Sequence, residues 1–489
     1  MNDAPAFLQA WNPCYQRGHR AFSDAALAQA RRSWFDTLAA LAGGLSEPCV
    51  GAALQASAAS GAPGLAAGDS ALVLGTATHA LDYDDVCMLA TCHPSAPPVA
   101  ALLALPPALL RGLTWGDLLA AYLVGTETTL RLGQWLGFRH YALGFHATAT
   151  LGAIGAAAAC AHALRLPLAP AHAALSIAAS SAGGLRANFG TDVKPLHVGL
   201  AASAGLRAAL LARAGATASN DVWRDAGFFH AFNGGQALVP LAWRSDQTLA
   251  IETPGFEHKR FPSCYMTHRM IAGILAIRAR HPTAAQALRI EVEVPKNGLA
   301  ALKHPSPSTG LEAKFSGQYC AAAAWIDHQV RLASFTDDAV QRAALREQMA
   351  QVVLRERAEA GEQLDTAPVT VTVHGPDWSD SQRVDWAPGS QADPMTREQL
   401  LAKWDDCAAH GGVPSSETQA LGLLDAPLES APASWLAPLC DRLLAVAART
   451  AGLPPIFQPS QANVALPLCL TPMGGGRLRP ASGRSEETA

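Results

Sequence analysis

From about residue 22 to residue 215, apolar and small residues recur at helical spacing, and capping residues and glycines break the runs. "SDAALAQARRSWFDTLAALAGG" predicts a helix that starts on Ser23 or Asp24 and stops at Gly43, with Trp34, Leu38 and Leu41 along one face. "WGDLLAAYLVGTETTLRLGQWLG" and "HATATLGAIGAAAACAHALRLP" predict two more. The second is so poor in large side chains that neighbouring backbones must approach it closely, which places it inside a bundle.

After residue 250 the period shortens. "LRIEVEVPK" alternates Leu288, Ile290, Val292 and Val294 against charged residues, and "PVTVTVHG" repeats the pattern at Val369, Val371 and Val373; both predict half-buried strands. "HRMIAGILAIRAR" and the charge-mixed sequence around residues 340 to 355 predict helices between them. Helical signals return at "DPMTREQLLAKWDDCAAH", where Thr396 and Gln399 form a capping box, and at "APASWLAPLCDRLLAVAART". The fold class is therefore mainly α: a large helical domain (1–252 and 391–455) with a smaller α+β unit (253–390) inserted into it. The tail, 456–489, is rich in Pro, Gly and Ser without a period and is expected to be loose.

Composition narrows the partners. Of the 489 residues, 49% are hydrophobic and 16% charged, so much surface is expected to be covered, between subunits included. A net charge of −4 without a basic stripe argues against nucleic acid. The N-terminal stretch lacks the pattern of a secretory signal, and no uninterrupted apolar run approaches the roughly 20 residues that cross a bilayer. A cytoplasmic protein without membrane contact is the expectation. The ten cysteines include no CxxC pair and fit as small buried hydrophobes. The 16 histidines include no HxxxH or HExxH spacing, so no metal site is expected.

Polar residues concentrate in five stretches within these apolar surroundings. "LDYDDVCMLATCHPS" holds Asp82, Asp84, Asp85 and His93. "HYALGFHATATLG" puts His146 at a helix mouth, where the dipole favours anions. "NFGTDVKPLHVGLAASAG" holds Lys194 and His197 in a Gly/Pro-broken loop; "EHKRFPSCYMTH" carries Lys259, Arg260, Cys264, Tyr265 and His268; "EAKFSGQYCAAAAW" adds Ser316 and Tyr319. Cations and proton-transfer groups in this proportion suit removal of a proton next to a carboxylate. The resulting enediolate needs cationic donors around it and a His, Lys or Tyr to move the proton, and the chemistry requires no cofactor. The competing readings are ordinary: Asp84 and Asp85 as helix caps or ion-pair partners, Cys264 as a buried thiol rather than a nucleophile, and the whole chain as a non-catalytic helical binding or scaffold protein.

"HALDYDDV…HPSAPPVAALLAL", "GFHATATLGAIGAAAA", "GTDVKPLHVGLAASAG", "KRFPSCYMTHRMIAGI" and "EAKFSGQYCAAAAW" stand in the order of the MmgE/PrpD family, which the chain resembles over about residues 20 to 450. The family contains 2-methylcitrate dehydratases, cis-aconitate decarboxylases and an iminodisuccinate epimerase. The resemblance implies a helical domain with a smaller inserted lid domain, a homodimer, no cofactor, and a lyase of the 2-methylcitrate dehydratase type acting on a di- or tricarboxylate. Epimerisation of an iminodisuccinate-like substrate is the alternative. By motif it implies Asp82, His93, Lys194 and Lys259 as catalytic residues and His146 and Tyr319 as substrate-binding residues; the residues themselves add His197, which would support Lys194 beside the substrate, and Arg260, which would bind a substrate carboxylate or pair with a lid-hinge acid. Two positions depart from the decarboxylase pattern. Val86 stands where those enzymes place a threonine, and the separation of Asp82 from His93, 93 − 82 = 11, is one residue longer, as in the epimerase.

Overall fold

The computed structural model describes residues 5–453, apart from 60–63, 225, 237–242, 244–246, 285–286, 359–363, 365, 415–421 and 432–435; the expected loose tail and the start of the last predicted helix lie outside the described residues. The first part of the chain is helical: α1 (Ala6–Tyr15), α2 (Asp24–Gly44), α3 (Pro48–Ala58), α4 (Ala67–Ala80), α5 (Ala96–Leu103), α6 (Trp115–Ala142), α7 (Ala147–Ala163), α8 (Leu168–Ser180), α9 (Val193–Arg213) and the short α10 (Phe228–Phe232). Ser23 caps α2 by accepting from the Ala26 N–H, and Thr114 and Asp117 form a capping box on α6.

The Ala-rich α7 is buried along almost its whole length and packs against α5, α6, α8 and α9. Small residues set the spacing that matters most for the site. A Cβ on Gly75 of α4 would lie 2.8 Å from the Cα of Gly199 on α9, and one on Gly199 would run into the Leu72 carbonyl. Two glycines facing each other let these helices approach more closely than any larger pair permits. Although α9 is long and apolar enough to cross a bilayer, its buried face packs on α4, α7 and α8.

A mixed four-stranded sheet follows: β1 (Arg289–Val294), β2 (Val352–Glu356), β3 (Val369–His374) and β4 (Ser379–Val384), in spatial order β2-β1-β3-β4. β1 pairs parallel with β2 and antiparallel with β3, with Ile290 opposite Val373 and Val292 opposite Val371, so the alternating valines fall on one buried face. That face and α11 (His268–Arg280) make a second hydrophobic core from residues 261–373, separate from the larger helical core. The connection from β1 to β2 runs through α12 (Gly310–Ala313), α13 (Gly317–Asp327), α14 (Asp337–Val340) and α15 (Ala343–Met349). The helix expected over 340 to 355 is thus shorter, and its second half is β2. β4 was not anticipated: its sequence, "SDSQRV", is polar in all but Val384, as suits the exposed edge of the sheet. The chain then returns to the helical core through α16 (Arg397–His410), capped by the Thr396/Gln399 box, and α17 (Leu436–Thr450).

Candidate active site

The two cores meet around a cleft whose lining includes Asp82, His93, His146, Lys194 and Lys259. Asp82 follows the last turn of α4 in a left-handed conformation, φ 53°, unusual for a residue with a side chain. Lys194 is not in a loop, as the sequence suggested, but in the first turn of α9, which the Gly75/Gly199 contact holds against α4. Its Nζ donates to Asp82 Oδ1 at 2.6 Å and to His79 Nε2 at 2.7 Å. Lys259 Nζ lies 3.1 Å from Asp82 Oδ2 and donates to the Asp82 carbonyl at 2.6 Å. Burial alone would raise the proton affinity of Asp82, but the two ammonium groups reverse this and hold its carboxyl well below the usual range.

His79 is the residue that sequence reasoning missed. It is buried, three residues before Asp82 on an Ala-rich helix, and its neighbours in sequence carry no polar signal. Its Nδ1 is 2.9 Å from both oxygens of Asp84, while Nε2 accepts from Lys194, which assigns the neutral Nδ1–H tautomer. Burial, reinforced by Lys194 and His93, lowers its pKa to about 3 against the pull of Asp84. His93 sits over this pair, Nδ1 3.2 Å from Asp84 Oδ2 and Nε2 3.7 Å from Asp82 Oδ1. Its backbone N–H donates to Thr148 in the first turn of α7. Burial lowers the His93 pKa despite Asp84, so its imidazole is neutral and able to accept a proton.

Asp84 therefore belongs to the site rather than to an arginine pair, and it is closer to His93 than Asp82 is. Asp85 is structural: it accepts from the Ser95 hydroxyl and from the Ser95 N–H, just before α5. His146 is the N-cap residue of α7 and lines the cleft, but its Nδ1 is 3.1 Å from Nδ1 of His197. His197 supports His146, not Lys194, and is absent from the cleft wall. Two more expected residues lie elsewhere. Arg260 lines a separate cleft with Tyr83, Arg331 and Glu398, since consecutive residues of an extended segment point to opposite sides. Tyr319 is fully buried in the second core, donating to the Ser334 carbonyl. Cys264 lines the cleft, but burial pushes its thiol up to about 11, which removes the thiolate a nucleophile needs.

Two further lysines were quoted within motifs but not recognised. Lys314 Nζ donates to the carbonyls of Leu81 and Pro262, at 2.8 and 3.0 Å. Lys403 Nζ donates to Asp36 Oδ1 and the Tyr83 carbonyl at 2.7 Å and to the Lys259 carbonyl at 3.0 Å. Three consecutive carbonyls, Leu81, Asp82 and Tyr83, thus each accept from a buried lysine, which fixes the left-handed turn at Asp82. The Val86 and Glu257 backbones exchange two hydrogen bonds beside it. Between Asp82 and His93 the chain makes a tight hairpin in which Cys87 and Cys92 exchange backbone hydrogen bonds.

Donor atoms of His79, Asp82, Asp84 and His93 lie within 4.8 Å of one another, a grouping compatible with a metal ion by count. Both Asp82 oxygens and His79 Nε2 are already engaged by ammonium groups, however. Asp82 faces two lysines and Asp84 faces His79 and His93, so each carboxylate already has its partners.

Residues 16–240 match the MmgE/PrpD N-terminal domain and residues 261–426 the MmgE/PrpD C-terminal domain. The cis-aconitate decarboxylase of Mus musculus is 30% identical over 346 residues, covering 68% of this chain and 70% of that protein. The Homo sapiens enzyme is 33% identical over 298 residues, 58% of this chain and 60% of that protein. A cis-aconitate decarboxylase-like protein of Aspergillus oryzae is 25% identical over 364 residues, covering 70% and 75%. With both domains matched in order across most of its length, the chain belongs to the MmgE/PrpD family.

Proposed function

We propose that the chain is a lyase acting on a di- or tricarboxylate by removing a proton next to a carboxylate, in the manner of a 2-methylcitrate dehydratase or cis-aconitate decarboxylase. The observation that carries this is the state of the two lysines. An ammonium has three N–H donors; Lys194 spends one on Asp82 Oδ1 and one on His79, and Lys259 spends one on each of Asp82 Oδ2 and the Asp82 carbonyl. One donor remains on each among the described contacts, beside a neutral imidazole on the same cleft wall. Charge that develops on a substrate carboxylate as it becomes an enediolate meets two fixed cationic donors, which is the arrangement that lowers such a barrier most. His93 takes the proton, and Asp84 stabilises the imidazolium that forms.

The step after proton loss sets the product. Expulsion of a β-hydroxyl makes a dehydratase and reprotonation from the other face an epimerase; a decarboxylase reaches the same kind of stabilised carbanion by breaking the C–CO2 bond instead of a C–H bond, and then delivers a proton to it. Incubation with 2-methylcitrate, cis-aconitate and iminodisuccinate in heavy water separates them: loss of water or carbon dioxide is the expected mass change, while deuterium uptake without further change identifies an epimerase. Absence of both turnover and exchange with all three acids refutes the reading. The α+β unit would act as a lid over the cleft, and the protein would work as a cytoplasmic homodimer; sedimentation at micromolar concentration tests the dimer.

A further inference from the structure

The cleft is chemically divided. Its ionic end is the cluster around Asp82. The remaining walls belong to two small apolar clusters that stand apart from both main cores. One joins Val86 to Tyr265, with Met88 and Met266 packed against them; the other joins Phe189 and Phe315 to Cys264. Each takes side chains from the helical part and from the sheet-bearing unit, so apolar surface is gathered where the two enclose the cleft. Past Met88 and Phe138 lies an outer, more polar recess that Arg131, Gln134 and Lys296 also line, with which the cleft shares Met88, Thr91, Phe138 and Asn297. Phe138 is 43% exposed there, a large ring kept at an opening.

A compact polycarboxylate does not account for this lining. A carboxylate taken out of water is best held by a cation, and among the described residues of the inner cleft the lysines are Lys194 and Lys259, both at the ionic end; the polar groups elsewhere in its lining, Thr91, Tyr141, Tyr265 and Asn297, are uncharged. Paired methionines supply an apolar wall that adapts to ligand shape. We infer that the substrate is a carboxylic acid of the proposed class that carries an aliphatic substituent longer than methyl. Its carboxylates lie at the Lys194/Lys259 end and the substituent lies against Val86, Met88 and Met266. This rests on the carboxylate-lyase reading above and adds the substrate's apolar half.

The test is a homologous series, 2-alkylcitrates and the matching alkyl-substituted cis-aconitates from unsubstituted to butyl, with the full chain. Turnover is followed by mass spectrometry and binding by thermal shift. Specificity, kcat/KM, is expected to rise by about fourfold per methylene, the factor for moving one methylene from water to an apolar wall. Met266→Gln is expected to reduce the butyl-to-unsubstituted ratio at least tenfold. Phe138→Ser, at an exposed position, is expected to reduce it for butyl more than for ethyl. A flat or falling series with the unsubstituted acid turned over overturns this inference and leaves the lyase reading intact. No turnover anywhere, with thermal shifts that still grow with chain length, overturns the lyase reading and supports the apolar subsite. No turnover and no dependence on chain length overturns both.

Discussion

Asp82 shows how much of this site is held by neighbours. A side chain in the left-handed region costs free energy, and here the cost is offset because the carboxylate and carbonyl of the same residue take two lysines between them. His93 and Asp84 are the pair whose roles divide most cleanly. His93→Gln keeps the shape and removes the base, so kcat is expected to fall by about 10²–10⁴ with the unfolding midpoint little changed. Asp84 raises the proton affinity of His93 against the effect of burial. Asp84→Asn is therefore expected to move the acid limb of the kcat/KM profile to lower pH; a purely structural role would lower the rate without moving the limb. Motifs brought Asp82, His93, His146, Lys194 and Lys259 to one cleft. They failed at Arg260 and Tyr319 because a motif places a residue on an element without saying which way it faces. Asp84 was undervalued for a related reason: its partner, His79, is a lone histidine among alanines, and nothing in the spacing says that it is buried against a carboxylate.

At the scale of elements, the helices were legible because a 3.6-residue period survives wherever one face is buried. Of the strands, β1 and β3 carry the alternation of a sheet covered on one side, whereas the edges do not: β2 is a run of Val352, Val353 and Leu354 followed by Arg355 and Glu356, which also suits a helix, and β4 is polar up to Val384. Lys403 did leave a sequence signal. Leu400, Lys403, Trp404 and Cys407 form the buried stripe of α16, and a lysine in such a stripe must have a partner. Its partner is the fully buried Asp36. Lys403→Met leaves that carboxylate without its cation and is expected to cost about 3–5 kcal/mol. Lys314 ties the same turn from α12's end but has no ion pair among the described residues, and burial lowers its pKa to about 8. Lys314→Met loses two hydrogen bonds to carbonyls but also relieves a buried charge, so about 1–3 kcal/mol is expected. Urea unfolding at constant m measures both; a larger loss for Lys314→Met than for Lys403→Met would contradict the assignment of Asp36 as the decisive partner.

For the whole molecule, the buried histidines set the response to acid. Burial keeps His79 and His268 neutral down to about pH 3 and His258 down to about pH 4, and it lowers the pKa of His146 well below the ordinary value. Each is lowered relative to the unfolded chain, so in the window between about pH 6.5 and these folded values the unfolded state binds protons that the native state refuses. Stability from this source is present above pH 6.5 and is lost as pH falls. Asp85 and Glu127 act in the opposite sense, since burial raises both and the native state then holds the extra proton. Burial lowers His93, His140, His162, His172 and His197 in the same direction, so the histidines outnumber the two acids and the net effect is a stability that falls as the medium is acidified below about pH 6.5. Urea midpoints measured from pH 7.5 to 4.5 are expected to fall steeply below about pH 6.5, before ordinary carboxylates titrate. Replacing His258, which accepts or donates one bond to Ser33 at 2.8 Å and does not line the cleft, should reduce that slope by about one proton's worth, some 1.4 kcal/mol per pH unit. A midpoint that stays level to pH 4.5 would mean that these histidines are charged in the native protein, and the neutral imidazole assigned to His79 between Asp84 and Lys194 would fall with it.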